Sequence, residues 1–134
     1  MLFSGLSKYK NAGLILMRVG LGIAMTLHGY PKIIGGPHKW AELGAAAGAM
    51  GIHFLPVFFG FMASVSEFIG GILIILGLGF RFACLFICAV MAVAMTGEIK
   101  GGGSFNDYSH ALELLIVFAS LFIIGPGRYS VDKK

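Results

Sequence analysis

The run from Phe54 to Leu76 is apolar over the length a helix needs to cross a bilayer, about 20 residues for a hydrocarbon core of about 30 Å. It carries one carboxylate, Glu67, near its middle. In hydrocarbon every backbone N–H and C=O must find a partner within the chain, which admits helices and closed barrels only. An acid at the centre of such a helix costs about 2.5 to 3.5 kcal/mol on insertion scales, so Glu67 is expected against protein or trapped water, with a partner of its own. Helical spacing puts Gly60, Ala63 or Ser64, Gly70 and Gly71 on the Glu67 side, a stripe where another backbone can approach. Phe, Ile and Leu cover the opposite face, which suits lipid.

The rest of the chain repeats this pattern. Its 134 residues are 57% hydrophobic and 12% charged, with a mean hydropathy of +0.90, whereas soluble domains carry about 25% charged residues. Apolar runs alternate with short Gly, Pro and charged breaks, and the strict alternation of a membrane barrel is missing. The sequence therefore predicts an all-α membrane protein, a four-transmembrane-helix bundle in a single domain over residues 1–134. The spans are Ala12 to Tyr30, Phe54 to Leu76, Phe80 to Thr96 and Tyr108 to Ile124. Outside the first span, Lys8, Lys10, Arg81, Arg128, Lys133 and Lys134 fall at one end and Lys32, Lys39 and Lys100 at the other. That bias predicts both termini in the cytoplasm.

A net charge of +4 without a basic block gives nucleic-acid binding no support. Cys84 and Cys88 share a helix face with Met91 and Met95, which reads as polarisable filling in a packed bundle rather than as a metal site. A cleaved signal peptide is the alternative for the N-terminus. Arg18 inside the first apolar run, with no small-residue cleavage site before Pro31, favours a retained span.

Between spans one and two, Pro31 is expected to end the first helix and Pro37 to open a short interfacial or re-entrant helix. Trp40 suits an interfacial belt, and Ala41 to Met50 can cover the outer surface. The turn from Gly77 to Arg81 makes spans two and three antiparallel neighbours. Asn106 or Asp107 is expected to cap the fourth helix, which Gly125-Pro126-Gly127 stops.

The polar residues form two layers. Counting rise from the span ends puts Arg18 about 9 Å deep and Glu67 about 13 Å deep, a gap that an arginine side chain bridges. An Arg18–Glu67 pair would satisfy both groups, as a structural pair that fixes register or as a direct ligand or proton site; the alternative is an Arg18 that snorkels to the surface. The outer layer holds His28 and Lys32, Glu98, and His110 with Glu113. His28, His110 and Glu113 are the candidate catalytic residues, because imidazoles beside a carboxylate can exchange protons near neutrality. Arg18, Lys32, Glu67 and Glu98 are the candidate substrate-binding residues.

Arg18 with Gly20 and Gly22, His28-Gly29-Tyr30-Pro31-Lys32, Glu67-Phe68-Ile69-Gly70-Gly71, the turn with Arg81, and Gly125-Pro126-Gly127-Arg128-Tyr129-Ser130-Val131-Asp132 together resemble the DoxX family of small four-helix bacterial membrane proteins. The resemblance runs over nearly the whole chain. It implies a place in the bacterial inner membrane and a part in quinone-linked oxidoreductase complexes that handle sulfur compounds, thiols or oxidative stress, such as thiosulfate:quinone oxidoreductase. It also puts Arg18, His28, Lys32 and Glu67 at the family's polar motif positions.

Three functions compete. The first is a redox subunit that takes quinone at the outer layer, with no covalently bound cofactor and with electrons supplied through a partner subunit. The second is a lipid-binding module or small-molecule carrier. The third is a non-catalytic assembly subunit, or a homo-oligomer, whose small-residue faces dock other membrane proteins.

Overall fold

A computed structural model describes residues 2–133; Met1 and Lys134, the latter one of the basic residues used to orient the chain, lie outside the described residues. Five α-helices follow a short 3-10 turn: α1 (Lys10–Ile34), α2 (Gly36–Gly44), α3 (Pro56–Leu76), α4 (Phe80–Lys100) and α5 (Phe105–Ile124). All but α2 are long and apolar enough to span a bilayer. There is no strand among the described residues. α1 packs along α3, α3 along α4 and α4 along α5, while α2 and the 3-10 stretch Ala45–Met50 lie over α3 and α4.

Glycine sets how close these helices come. A Cβ added at Gly22 would sit 2.7 Å from the Gly71 carbonyl oxygen, and one at Gly71 would sit 2.7 Å from the Gly22 oxygen, so α1 and α3 cross in backbone contact there. Two turns farther along α1, a Cβ at Gly29 would lie 2.8 Å from Phe68 Cα. Gly60 meets the Trp40 carbonyl of α2 and Gly44 meets that of Pro56, at distances no side chain could enter. The small-residue stripe around Glu67 thus takes two partners, α1 and α2. Between the helices the core is Met25, Ile74, Phe80, Cys84, Ile87, Met91, Phe118 and Leu121. Leu16, Leu27, Phe82 and Ile123 stand exposed on the outside, surface that hydrocarbon covers without loss.

α1 and α3 each start two residues from the expected position, and three other ends depart further. α1 does not stop at Pro31: it runs on to Ile34, with the Pro31 carbonyl accepting from Gly35 N–H at 3.0 Å and the Lys32 carbonyl from Trp40 Nε1 at 2.9 Å. α4 continues past Thr96 to Lys100. α5 begins earlier than Tyr108, and its N-cap is Ser104 rather than Asn106 or Asp107. Ser104 N–H donates to Asp107 Oδ2 at 2.8 Å, so Asp107 serves as the reciprocal partner of a capping box.

Candidate functional site

Arg18 does not meet Glu67. The last carbonyls of α3 have no donors inside their own helix, and Arg18, buried on α1, faces them. Leu73 and Ile74 accept from Gly77 N–H, and Leu73 also accepts from Leu78 N–H, in the turn that Gly77 permits at φ 68°. Arg18 Nε donates to Ile74 at 3.2 Å and Nη2 to Ile75 at 2.7 Å, while Val131 N–H donates to Leu76 at 3.1 Å. Arg18 Nη1 reaches Tyr129 and Pro126 carbonyls, at 2.9 and 3.3 Å, in the segment after α5. The positive charge sits at the negative end of the α3 dipole and ties three parts of the chain together at the end that carries the termini. Depth counting missed this because it treated helix carbonyls as already satisfied, which the last turn's are not.

Glu67 pairs with Lys32. Nζ lies 2.6 Å from Oε2, with the Glu67 side chain 4% exposed and that of Lys32 28% exposed. Extending α1 past Pro31 puts Lys32 one helical turn beyond His28, on the side where Gly29 lets α1 close on Phe68. The sequence put Lys32 in the outer layer and Glu67 in the inner one, with the helix ended at Pro31. The spacing of His28, Gly29 and Lys32 was the signal available for the alternative.

This pair lies between two hollows. A cavity of about 160 Å³ is lined by Met25, His28, Lys32, Glu67, Met91 and His110, among others. A groove of about 430 Å³ between α3 and α4, roofed by α2 and the stretch after it, shares Lys32, Glu67 and Ala94 with that cavity and is otherwise almost wholly apolar. In the smaller cavity the His28 and His110 rings face each other with centroids 5.2 Å apart and planes tilted by 52°. That contact bridges α1 and α5, whose backbones do not pack together.

The structure thus brings together His28, Lys32, Glu67 and His110. Glu113, one turn along α5 from His110, is exposed, as His28 and His110 are, but unlike them it is outside the lining of both hollows. Glu98 is exposed in the last turn of α4, where its carbonyl accepts from Gly103 N–H at 2.8 Å. Cys84 is buried in the core, and Cys88 Sγ donates to the Leu115 carbonyl at 3.8 Å. No set of three or more His, Cys, Asp or Glu side chains among the described residues is grouped as metal ligands.

Chemically, the arrangement offers a neutralised ion pair with spare N–H groups on Lys32, next to two imidazoles able to accept or release protons. The DoxX family description matches residues 13–97, a stretch that includes Arg18, His28, Lys32 and Glu67 and ends before His110. An uncharacterized protein of Haemophilus influenzae is 30% identical over 137 residues, covering 98% of this chain and 96% of that protein. No solved structure gives a significant match.

Proposed function

This chain belongs to the DoxX family, and we propose that it serves as a subunit of a quinone-linked membrane oxidoreductase that handles sulfur compounds or thiols. One observation carries the reading: the Lys32–Glu67 pair forms a wall of both the histidine-lined cavity and the apolar groove. Ionisable side chains within a membrane-spanning bundle mark functional sites by default, and here they adjoin an apolar space as well as a proton-exchanging one. Ligand pockets run from about 300 to 1,000 Å³. The 160 Å³ cavity is below that range and suits water and protons, whereas the groove falls within it.

Quinone reduction takes up two electrons and two protons. A thiol donor oxidised at a partner subunit supplies the electrons as its two sulfurs join in a disulfide. Lys32 donates a hydrogen bond to a quinone carbonyl oxygen, and His28 and His110 pass protons towards the reduced oxygens through Glu67. The protein sits in the bacterial inner membrane with both termini cytoplasmic, in keeping with the basic residues gathered at that end. The site would then lie towards the outer face.

The test is thiol-dependent quinone reduction by the natively purified protein with its partners. Glu67→Gln and His110→Ala are expected to remove most of the activity while preserving expression. Full activity in both variants would end the reading. A lipid-binding or carrier role is the second reading, favoured by the size and apolar lining of the groove.

A further inference from the structure

We infer that the groove between α3 and α4 holds the single hydrocarbon chain of a ligand drawn sideways from the bilayer, with an uncharged head against Lys32 and Glu67. This rests on the proposed function for the identity of the head as a quinone, but not for the presence of the chain.

The walls are Phe58, Phe59 and Met62 on α3 and Phe86, Ala89 and Val93 on α4. Phe58, Met62, Phe86 and Ala89 are exposed on the outer surface, so the mouth opens where lipid lies. The roof is held fixed: Gly60 against the Trp40 carbonyl and Gly44 against that of Pro56 leave α2 no slack over α3. A groove with rigid walls is preformed, and a chain entering it loses little to reorganisation of the protein.

The inner end selects the head. Lys32 and Glu67 neutralise each other at 2.6 Å, so an anionic head would have to compete with Glu67, and a cationic one with Lys32. An uncharged carbonyl or hydroxyl oxygen can instead accept an N–H of Lys32 that the pair leaves spare. Volume selects the number of chains. At about 430 Å³ the groove lies near the lower end of the roughly 300 to 1,000 Å³ of small-ligand pockets, which fits a head with one chain better than a two-chain phospholipid.

Trp40, the single tryptophan, reports on this roof: its Nε1 donates to the Lys32 carbonyl and its ring packs on Phe61 at 4.9 Å. Binding can therefore be followed by quenching of Trp40 fluorescence in the full-length purified protein. The probes are a benzoquinone with a decyl tail, the same head without the tail, and decyl alcohol as competitor. The tailed quinone is expected to bind about tenfold or more tightly than the tailless one. Ala63→Phe and Ala89→Phe, which fill the groove from different helices, are each expected to remove that advantage while leaving the tailless head unchanged. Equal affinity for tailed and tailless heads in the wild type would overturn the groove and leave the quinone site standing. Decyl alcohol competing as well as the tailed quinone would keep the groove and sink the quinone head. A folded filling variant that keeps the tail advantage, or a two-chain phospholipid retained in place of the tailed quinone in native mass spectrometry, would overturn the inference.

Discussion

Replacing Arg18 by methionine isolates what holds the terminal end of the bundle together. Methionine keeps the length of the apolar stem and removes every donor. Among the described residues, the Ile75, Tyr129 and Pro126 carbonyls accept from Arg18 alone, whereas Ile74 retains Gly77 N–H. Orphaning the buried Pro126 carbonyl costs about 1 to 3 kcal/mol and the two part-buried ones less each, about 2 to 6 kcal/mol together. No longer burying the guanidinium offsets part of this, leaving a net loss of about 2 to 4 kcal/mol. Ile74 lies seven residues beyond Glu67, about 10 Å at 1.5 Å per residue, so Arg18 and Glu67 share no partner. Unfolding in mixed micelles, read by circular dichroism for Arg18→Met, Glu67→Gln and the double variant, should give losses that add within about 0.5 kcal/mol. The same cycle on Lys32→Met and Glu67→Gln should show coupling of about 1 to 3 kcal/mol. Coupling above about 1 kcal/mol between Arg18 and Glu67, or an Arg18→Met variant as stable as the wild type, would refute the carbonyl clamp.

Other outcomes follow from the packing and the caps. Gly60→Ala forces a Cβ into the Trp40 carbonyl, so it should destabilise by about 1 to 3 kcal/mol and shift Trp40 emission as α2 lifts. Asp132→Ala removes the acceptor of Gly79 and Phe80 N–H, at 3.1 and 2.8 Å, and should cost about 1 kcal/mol, measured in the same micelle unfolding assay. In a background without Cys84 and Cys88, Lys100→Cys should react with an impermeant maleimide in intact cells, and Lys10→Cys only after permeabilisation.

How much of this was legible in the sequence depended on which physical signal carried it. Four spanning helices followed from run length and hydropathy, signals that operate at the scale of a whole element. The close faces of α3 followed from glycine spacing, and Gly60, Ser64, Gly70 and Gly71 are buried as that spacing required. The partners of the charged groups did not follow. Arg18 was matched to Glu67 because side chains are visible in a sequence and unsatisfied carbonyls are not, although a helix ending at Gly77 necessarily leaves some. The Lys32–Glu67 pair was missed because a proline was taken to end the helix, whereas α1 runs on past Pro31 to Ile34. His28 and His110 were assigned to one layer, and they do meet. Glu113 shares a helix face with His110 at the level of spacing, but it is exposed and outside the lining of the cavity.

The most direct measurement of the central claim is the infrared difference spectrum of the carboxylate stretch of Glu67 when a tailed quinone is added to the purified protein. If Lys32 and Glu67 contact the ligand head, addition should perturb a carboxylate band that is absent from the Glu67→Gln spectrum and altered in Lys32→Met. A quinone that binds with the same difference spectrum in wild type and Glu67→Gln would contradict the account, because the ligand would then sit away from the pair.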